Sequence, residues 1–200
     1  MKHKKPQRLK GLEPFERRRD WVMFEGYAHM HVSIAGGPIH EPYEEAIQLF
    51  IIPWRGEYES WTVYRHNADS RKGGKIVFKK WDRAKDVERF RALGDEKAPK
   101  EWFSYTSVIQ REFPVKARWV KDLELKVSRL SIPPISGPVL ELTRKTRYRV
   151  RFWRGRWDSE FTWEGTAPKG WLPLARLFDA LLKNVRGLAS GNQLQPWKER

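Results

Sequence analysis

Twice along this chain, the spacing of apolar residues changes from every second position to every third or fourth. Residues 58–81 alternate around a polar loop, and residues 82–93 then follow a helical spacing. Residues 139–164 alternate again and are followed by residues 171–186, which carry a broad apolar stripe. Alternation is typical of strands, and the longer spacing is typical of amphipathic helices. The pattern predicts an α+β fold with a mainly antiparallel sheet of about six to eight strands and two main helices packed on one face.

Residues at the ends of both helices support this assignment. Asp82 is placed to cap the first helix, and Gly94 to end it. Pro173 suits the first turn of the second helix, and Gly187 is the predicted stop.

The rest of the chain suggests more strands. Apolar residues occupy every second position in the latter part of residues 21–34, and again in residues 116–127, so both segments are predicted as strands. Residues 46–54 fit a strand or a short buried helix, and their β-branched residues favour the strand. Residues 131–138 contain three prolines and are predicted to form a turn or an extended connection.

One domain accounts for most of the chain. Residues 1–20 are highly charged and interrupted by proline and glycine, which predicts a disordered basic arm. Residues 21–187 form the predicted α+β domain, with a weak candidate boundary near residues 131–138. Residues 188–200 are predicted to form a C-terminal tail.

The absence of cysteine excludes disulfides, thiolate chemistry and cysteine-based zinc sites. No stretch approaches the ~20 apolar residues of a membrane-spanning helix. We therefore expect a soluble, cytoplasmic protein with no membrane association. The chain has 11 tryptophans, which can fill a core or stack on nucleic-acid bases.

The formal net charge of +15 is concentrated in two segments. Residues 1–20 carry +5 and residues 115–156 carry +9, which leaves +1 for the other 138 residues. A basic arm together with one basic segment is typical of proteins that bind polyanions.

Within the basic segment, Arg147, Arg149 and Arg151 share one face of a predicted strand. A turn at Arg154-Gly155 would place Arg149 opposite Glu160 and Arg151 opposite Asp158, so that two of the three arginines are neutralised across the hairpin. The cations without such partners are better candidates for phosphate contact, and Trp153 on the same face could stack on a base. The candidate nucleic-acid-binding residues of segment 115–156 are Lys116, Arg118, Lys121, Arg129, Arg144, Lys145, Arg147, Trp153, Arg154 and Arg156.

The hairpin loop Asn67–Gly74 is a second candidate site. Arg71 and Lys72 stand beside two glycines, so cations and backbone N–H groups could approach a phosphate together. The spacing is not that of a P-loop, and the alternative interpretation is an ordinary solvated loop.

Two further patterns suggest metal chemistry. His29 and His31 would lie on one side of a strand, a spacing that can hold a metal ion. His31-Val-Ser33 resembles half of the His-x-Ser/Thr pair of two-histidine phosphoesterases, but no second half follows His66. Asp122-Leu-Glu124-Leu-Lys126 resembles the core of metal-dependent nucleases, in which carboxylates hold Mg²⁺ and a lysine stabilises phosphate charge.

These observations lead to one main expectation and two alternatives. We expect a non-enzymatic protein without a cofactor that binds DNA or RNA through the phosphate backbone, using residues 115–156 and the basic arm. One alternative is an interaction module that binds an acidic protein partner. The other is a metal-dependent phosphodiester hydrolase that uses the histidine pair or the Asp122–Lys126 segment.

Overall fold

A computed structural model gives the fold of the chain. The sheet consists of six strands among the residues that the structure describes: β1 Tyr43–Ile52, β2 Glu59–His66, β3 Gly74–Trp81, β4 Val108–Val115, β5 Arg147–Arg154 and β6 Trp157–Glu164. The α-helices are α1 Arg19–Ser33, α2 Arg83–Ala92, α3 Ala117–Ser128 and α4 Leu172–Ala189. The described residues are 14–33, 43–67, 69, 71–94, 96–133, 145–154, 157–191 and 193–194.

All strand pairs are antiparallel, in the order β4-β3-β2-β1-β5-β6. The predicted α+β class and the antiparallel sheet are therefore confirmed, as are both predicted hairpins, β2–β3 and β5–β6. The predicted helices are present as α2 and α4. Asp82 caps α2 by accepting a hydrogen bond from the Lys85 backbone, and Gly94 follows the helix with a positive φ of 56°.

One face of the sheet is covered by α3 and α4. The predicted apolar stripe of α4 is buried there, with Leu174, Phe178 and Leu181 at most 2% exposed. From α3, Trp119 and Leu123 join the same core. The sheet contributes alternate residues of its central strands: Ile47, Leu49, Ile51, Trp61, Val63, Ile76, Phe78 and Val150.

The opposite face is covered by α1 and α2, so helices lie on both sides of the sheet. Trp21 and Phe24 of α1 pack against Phe90 of α2, with ring centroids 4.8 and 5.0 Å from the Phe90 ring. Phe50 and Trp81 provide the sheet side of this aromatic core.

The C-terminus of α1 ends over the sheet, where its last carbonyls need donors. Ser60 Oγ donates to the carbonyl of Val32 over 2.7 Å, and Gln48 Nε2 donates to that of Ser33 over 2.9 Å. These two buried polar side chains of β1 and β2 therefore serve to cap the helix.

The prediction of strands in residues 21–34 is wrong, because the described part of this segment, up to Ser33, belongs to α1. The buried residues are Trp21, Phe24, Ala28 and Val32, which recur at helical spacing. Burial of this stripe outweighs the local alternation.

Residues 116–127 were also predicted as a strand, and this is wrong as well. They form α3, in which Trp119, Val120 and Leu123 are buried while Leu125 is 47% exposed. Helical geometry turns Leu125 away from the core, although it alternates with Leu123 in sequence.

Two boundaries also differ from the prediction. The last residues of the predicted arm are folded: Phe15 is 6% exposed in the aromatic core, and the Arg18 guanidinium donates to the carbonyls of Gly94 and Glu96. Residues 1–13 lie outside the described residues. At the other end, α4 continues through Gly187 to Ala189, so the helix is one turn longer than predicted.

The β5–β6 register is displaced by two residues from the predicted one. Arg151 lies opposite Glu160, and Arg149 lies opposite Thr162. Because the displacement is even, every side chain keeps its predicted face. Arg147, predicted to lack a partner, forms an ion pair with Glu164 over 2.7 Å.

Candidate nucleic-acid interface

A groove of about 340 Å³ runs between α3 and the end of the sheet. Three strands reach this end: β1 begins there, and β2 and β5 finish there. We call it the α3 groove. Its lining comes from α3 (Lys121, Glu124, Leu125, Val127, Ser128), from β1 and β2 (Ala46, Ile47, Arg65) and from β5 (Phe152, Trp153).

A smaller cavity of about 40 Å³ extends the groove toward the β2–β3 loop. The two share Arg65, Lys121 and Glu124, so they form one continuous depression. Lys72 lines the far end. Three predicted contact residues from separate parts of the sequence, Lys72, Lys121 and Trp153, therefore line one surface.

The outer side of α3 carries a stripe of cations beside the groove. Arg118, Lys121 and Arg129 are exposed and recur at a spacing that places them on one side of the helix. Lys116 is exposed just before the first turn. Among the described residues, the only carboxylate paired with these four is Asp122, whose oxygen lies 3.9 Å from Arg118 Nε. The predicted charge on this segment is thus available to a ligand.

Among the described cations that line the groove, Arg65 is the one held in ion pairs. Its guanidinium donates to Glu124 over 2.8 Å and also to Glu44. Desolvation acts to lower the pKa of Arg65, but the hydrogen bonds to Glu124 and Glu44 outweigh it and raise that pKa. The ion pairs with Glu44 and Glu124 hold the Arg65 side chain, which lines both cavities, in place. Lys121 and Lys72 are then the cations that face the groove.

Aromatic and apolar side chains form the sheet side of the groove. Phe152 packs against the core below α3, and Trp153, the last residue of β5 before Arg154, lies at the rim. The Arg151 guanidinium stacks over the Trp153 indole, 4.6 Å from its ring centroid. This contact keeps the Trp153 indole on the face of the sheet that Arg151 occupies, so Trp153 borders the groove at the end of β5.

The two glycines of the Asn67–Gly74 loop have a structural role. A Cβ at Gly73 would lie 2.3 Å from the carbonyl oxygen of Val115, and one at Gly74 would lie 2.1 Å from that of Tyr64. These approaches bring the loop against the start of α3. The glycines therefore permit close packing of the loop, and Arg71, whose side chain is 88% exposed, and Lys72 stay accessible.

Two further predicted contact residues, Lys145 and Arg147, are described away from the groove. Lys145 and Arg147 lie at the opposite end of β5, where Arg147 is paired with Glu164. Arg154 ends β5 next to Trp153. Arg144 and Arg156 lie outside the described residues.

The arginines of β5 face the other side of the sheet, toward α1. Arg149 is half-buried, with its guanidinium 4.5 Å from the centroid of the Phe50 ring. Desolvation lowers its pKa. The predicted pair of Arg149 with Glu160 is wrong, because the register places Thr162 opposite Arg149. The described residues of segment 115–156 thus lie on both faces of the sheet.

The proposed histidine pair does not share a face. His29 and His31 lie two positions apart on α1, which points their side chains in nearly opposite directions. His29 contacts the rings of Phe50 and Tyr58, and burial, followed by the charges of Arg149 and Arg147, lowers its pKa to about 4. His31 is bonded through Nδ1 to the Thr106 hydroxyl.

The residues of the nuclease-like pattern are also not arranged as in a nuclease core, for the same reason. Asp122, Glu124 and Lys126 lie on helix α3 and not on a strand, so the alternate positions do not converge. In the part of the chain that is described, no three histidine or carboxylate side chains are placed to hold a metal ion.

Sequence reasoning missed Arg65, Glu124, Leu125 and Phe152 as groove residues, since the groove forms only when α3 packs across the sheet end.

No family model matches the sequence, and no curated protein is significantly similar to it. Every helix in the described ranges is too short or too polar to cross a bilayer.

Proposed function

We propose that this chain binds nucleic acid mainly through the phosphate backbone, using the cations of α3 and the neighbouring β2–β3 loop. The observation that supports it best is the convergence of Lys72, Lys121 and Trp153 on the α3 groove from three distant parts of the sequence. A cationic surface with an aromatic side chain is the usual composition of a site for single-stranded nucleic acid.

The number of accessible cations sets the expected strength of the interaction. Among the described residues, five exposed cations lie on or beside the groove: Lys72, Lys116, Arg118, Lys121 and Arg129. Each phosphate contact adds about 0.7 to 0.9 to the slope of log K against log salt. Five contacts therefore give a slope of about −3.5 to −4.5.

Such contacts touch phosphates and not base edges, so affinity depends little on sequence. The cysteine-free composition suits the reducing cytoplasm, and we propose that binding takes place there.

Fluorescence anisotropy with short DNA and RNA ligands across a salt series tests the proposal. We expect binding at about 50 mM salt and a loss of about 100- to 500-fold by 200 mM. Ligands of different sequence should bind with similar affinity. Absence of binding to every DNA and RNA ligand at the lowest salt would contradict the proposal.

A protein partner is the second candidate function, and one feature of α1 favours it. Met23, Tyr27 and Met30 are 38–46% exposed and recur on one side of the helix, with Val22 beside them. Arg19 is exposed one turn before Met23. An apolar stripe with a cation at its end fits a partner that offers apolar and acidic side chains. Met23→Asp combined with Met30→Asp should abolish a stoichiometric complex in a pull-down, and retention of the complex would refute this candidate.

A further inference from the structure

We infer that Arg149, His29 and Thr162 form a binding site for a single phosphate group on the face of the sheet that α1 occupies. The α3 groove uses the opposite face, on which Phe152 packs into the core below α3. The inference therefore goes beyond the proposed function and does not depend on it.

Arg149 is the cation at the centre of this site. Its guanidinium lies 4.5 Å from the centroid of the Phe50 ring, and its Nε is buried without a hydrogen-bond partner. In the described part of the chain, no carboxylate forms an ion pair with Arg149. Desolvation lowers the pKa of Arg149 and outweighs the charges of Glu160, which raises it, and Arg151, which lowers it. A cation that loses water without gaining a partner destabilises the fold, and a bound anion would supply that partner.

The other two arginines on this face of β5 have acidic residues across the hairpin. Arg147 is paired with Glu164 over 2.7 Å, and Arg151 lies opposite Glu160. At the position between them, the residue opposite on β6 is a threonine. The positive charge without an acidic residue directly opposite is therefore the middle one of the row.

His29 and Thr162 add neutral hydrogen-bonding groups beside this guanidinium. The His29 ring contacts the same Phe50 ring as Arg149, with the two ring centroids 4.9 Å apart. Thr162 lies directly opposite Arg149, so their Cβ atoms are about 4.5–5.5 Å apart on one face of the sheet. Neither the His29 ring nor the Thr162 hydroxyl forms a hydrogen bond with a described residue. Three polar groups with unused bonding capacity are thus gathered beside Phe50.

The combination of donors suits phosphate better than carboxylate. A guanidinium presents paired N–H groups to one edge of an oxyanion, and the imidazole and the hydroxyl can each donate one further bond. A phosphate group offers at least three acceptor oxygens in a tetrahedral arrangement, whereas a carboxylate offers two in one plane. His29 is neutral near pH 7, because burial, followed by the charges of Arg149 and Arg147, lowers its pKa to about 4. Its one N–H can therefore donate without adding a second buried charge.

The site is open to solvent beside α1. This helix packs mainly over β2, β3 and β4, and Arg149, Thr162 and His29 are all partly exposed. A phosphate group can therefore approach over β5 and β6, either as the free ion or as the end of a larger ligand.

Nuclear magnetic resonance of the full chain tests the site, with inorganic phosphate as the probe and ionic strength held constant with sodium chloride. The chain has five histidines, and the spectrum of His29→Gln assigns the His29 ring signal. Because phosphate has few atoms, we expect the His29 signal to shift and saturate with a dissociation constant on the order of 1 mM. The ring of His31, which is bonded to Thr106, is the internal control and should not shift.

Two variants remove donors from the site. Arg149→Gln should weaken phosphate binding about 10- to 100-fold, the usual effect of losing a charged donor. Thr162→Val should weaken it about 2- to 10-fold, and this milder change keeps the test decisive if Arg149→Gln disturbs folding. Arg176→Gln is the matched control and should bind like the wild type, because it removes the same charge from an exposed position on α4.

A second set of ligands defines the ligand class. Inorganic phosphate and glycerol phosphate distinguish the free ion from a phosphate monoester, since the site should favour the one it accommodates. Acetate should bind at least 10-fold more weakly than either, and acetate binding as tightly as phosphate would overturn the assignment to phosphate. Absence of a His29 shift at about 50 mM phosphate, or equal affinities of Arg149→Gln and the wild type, would overturn the site itself. Such a failure would leave nucleic-acid binding at the α3 groove untouched, because the two surfaces lie on opposite faces of the sheet.

Discussion

Removing the charges of the cations on the outer side of α3 should change the salt dependence of nucleic-acid binding by an amount that follows from the number of cations lost. In the variant Arg118→Gln, Lys121→Gln and Arg129→Gln, three of the five accessible cations are lost. At about 0.7 to 0.9 per contact, the salt slope should become shallower by about 2 to 3. If the electrostatic contribution vanishes near 1 M salt, the same contacts are worth about 100- to 500-fold in affinity at 100 mM. Stability should change little, because all three side chains are exposed.

A control variant on the other face of the sheet distinguishes the effect of where the charges lie from the effect of lowering the net charge. Lys85→Gln, Lys97→Gln and Lys100→Gln removes the same charge from exposed positions on and after α2. Long-range attraction predicts similar losses for both variants, whereas direct contact predicts a loss of about 10-fold or less in the control. Anisotropy titrations at five salt concentrations measure both slopes. Equal slopes in the two triple variants would refute the assignment of phosphate contacts to α3.

Four predictions concern the stability of the fold. Gly74→Ala should destabilise the chain by about 2 kcal/mol or more in urea unfolding, because its Cβ would lie 2.1 Å from a β2 carbonyl. Gly26→Ala should instead stabilise by about 0.5–1 kcal/mol, since Gly26 lies inside α1 with no atom within 4 Å of the added Cβ; destabilisation there would contradict the packing of α1. Asp86→Ala should cost about 3–5 kcal/mol, because Asp86 is fully buried and accepts from the Trp81 indole over 2.8 Å; a cost below about 1 kcal/mol would be inconsistent with that network. His29 stays neutral in the folded chain down to about pH 4, while the unfolded chain takes up a proton near 6.5. Stability should therefore fall as the pH drops from about 6.5 to 4, by about 1–2 kcal/mol after allowing for solvent screening of this partly exposed ring, and His29→Gln should remove that loss.

The sequence was most informative where spacing and end signals agreed. In α4, the apolar stripe and Pro173 both indicate a helix, and the helix is present with that stripe buried. In α2, the Asp82 cap and Gly94 mark both ends of the helix in the sequence. The structure adds which aromatic residues of α1 and the sheet the helix packs against.

The sequence misled where apolar residues also occupy the solvent side of a helix. In α1, Met23 and Met30 are exposed and obscure the helical stripe of the buried residues. In α3, exposed Leu125 lies between Leu123 and Val127 and imitates the alternation of a strand. Apolar periodicity alone does not separate the two structures in such short segments.

The α3 error explains what was missed at the site. In the predicted strand, Lys121 is one of a row of side chains that alternate between two faces. In the observed helix, it lies on the same side as Arg118 and Arg129. The spacing of these three cations was a signal that could have been recognised. The partners Arg65 and Phe152 come from other strands, and their position beside α3 is a consequence of tertiary packing that no local pattern contains.

Photo-crosslinking tests the central claim most directly, because it reports which residues contact the ligand. A single-stranded oligonucleotide carrying thiolated bases is bound at low salt and irradiated, and labelled peptides are identified by mass spectrometry. We predict labelling in residues 116–129 and in the peptide that contains Trp153, with labelling suppressed by an excess of unmodified strand. Labelled peptides confined to α1, α2 or β4 would contradict the assignment of the α3 groove as the nucleic-acid interface.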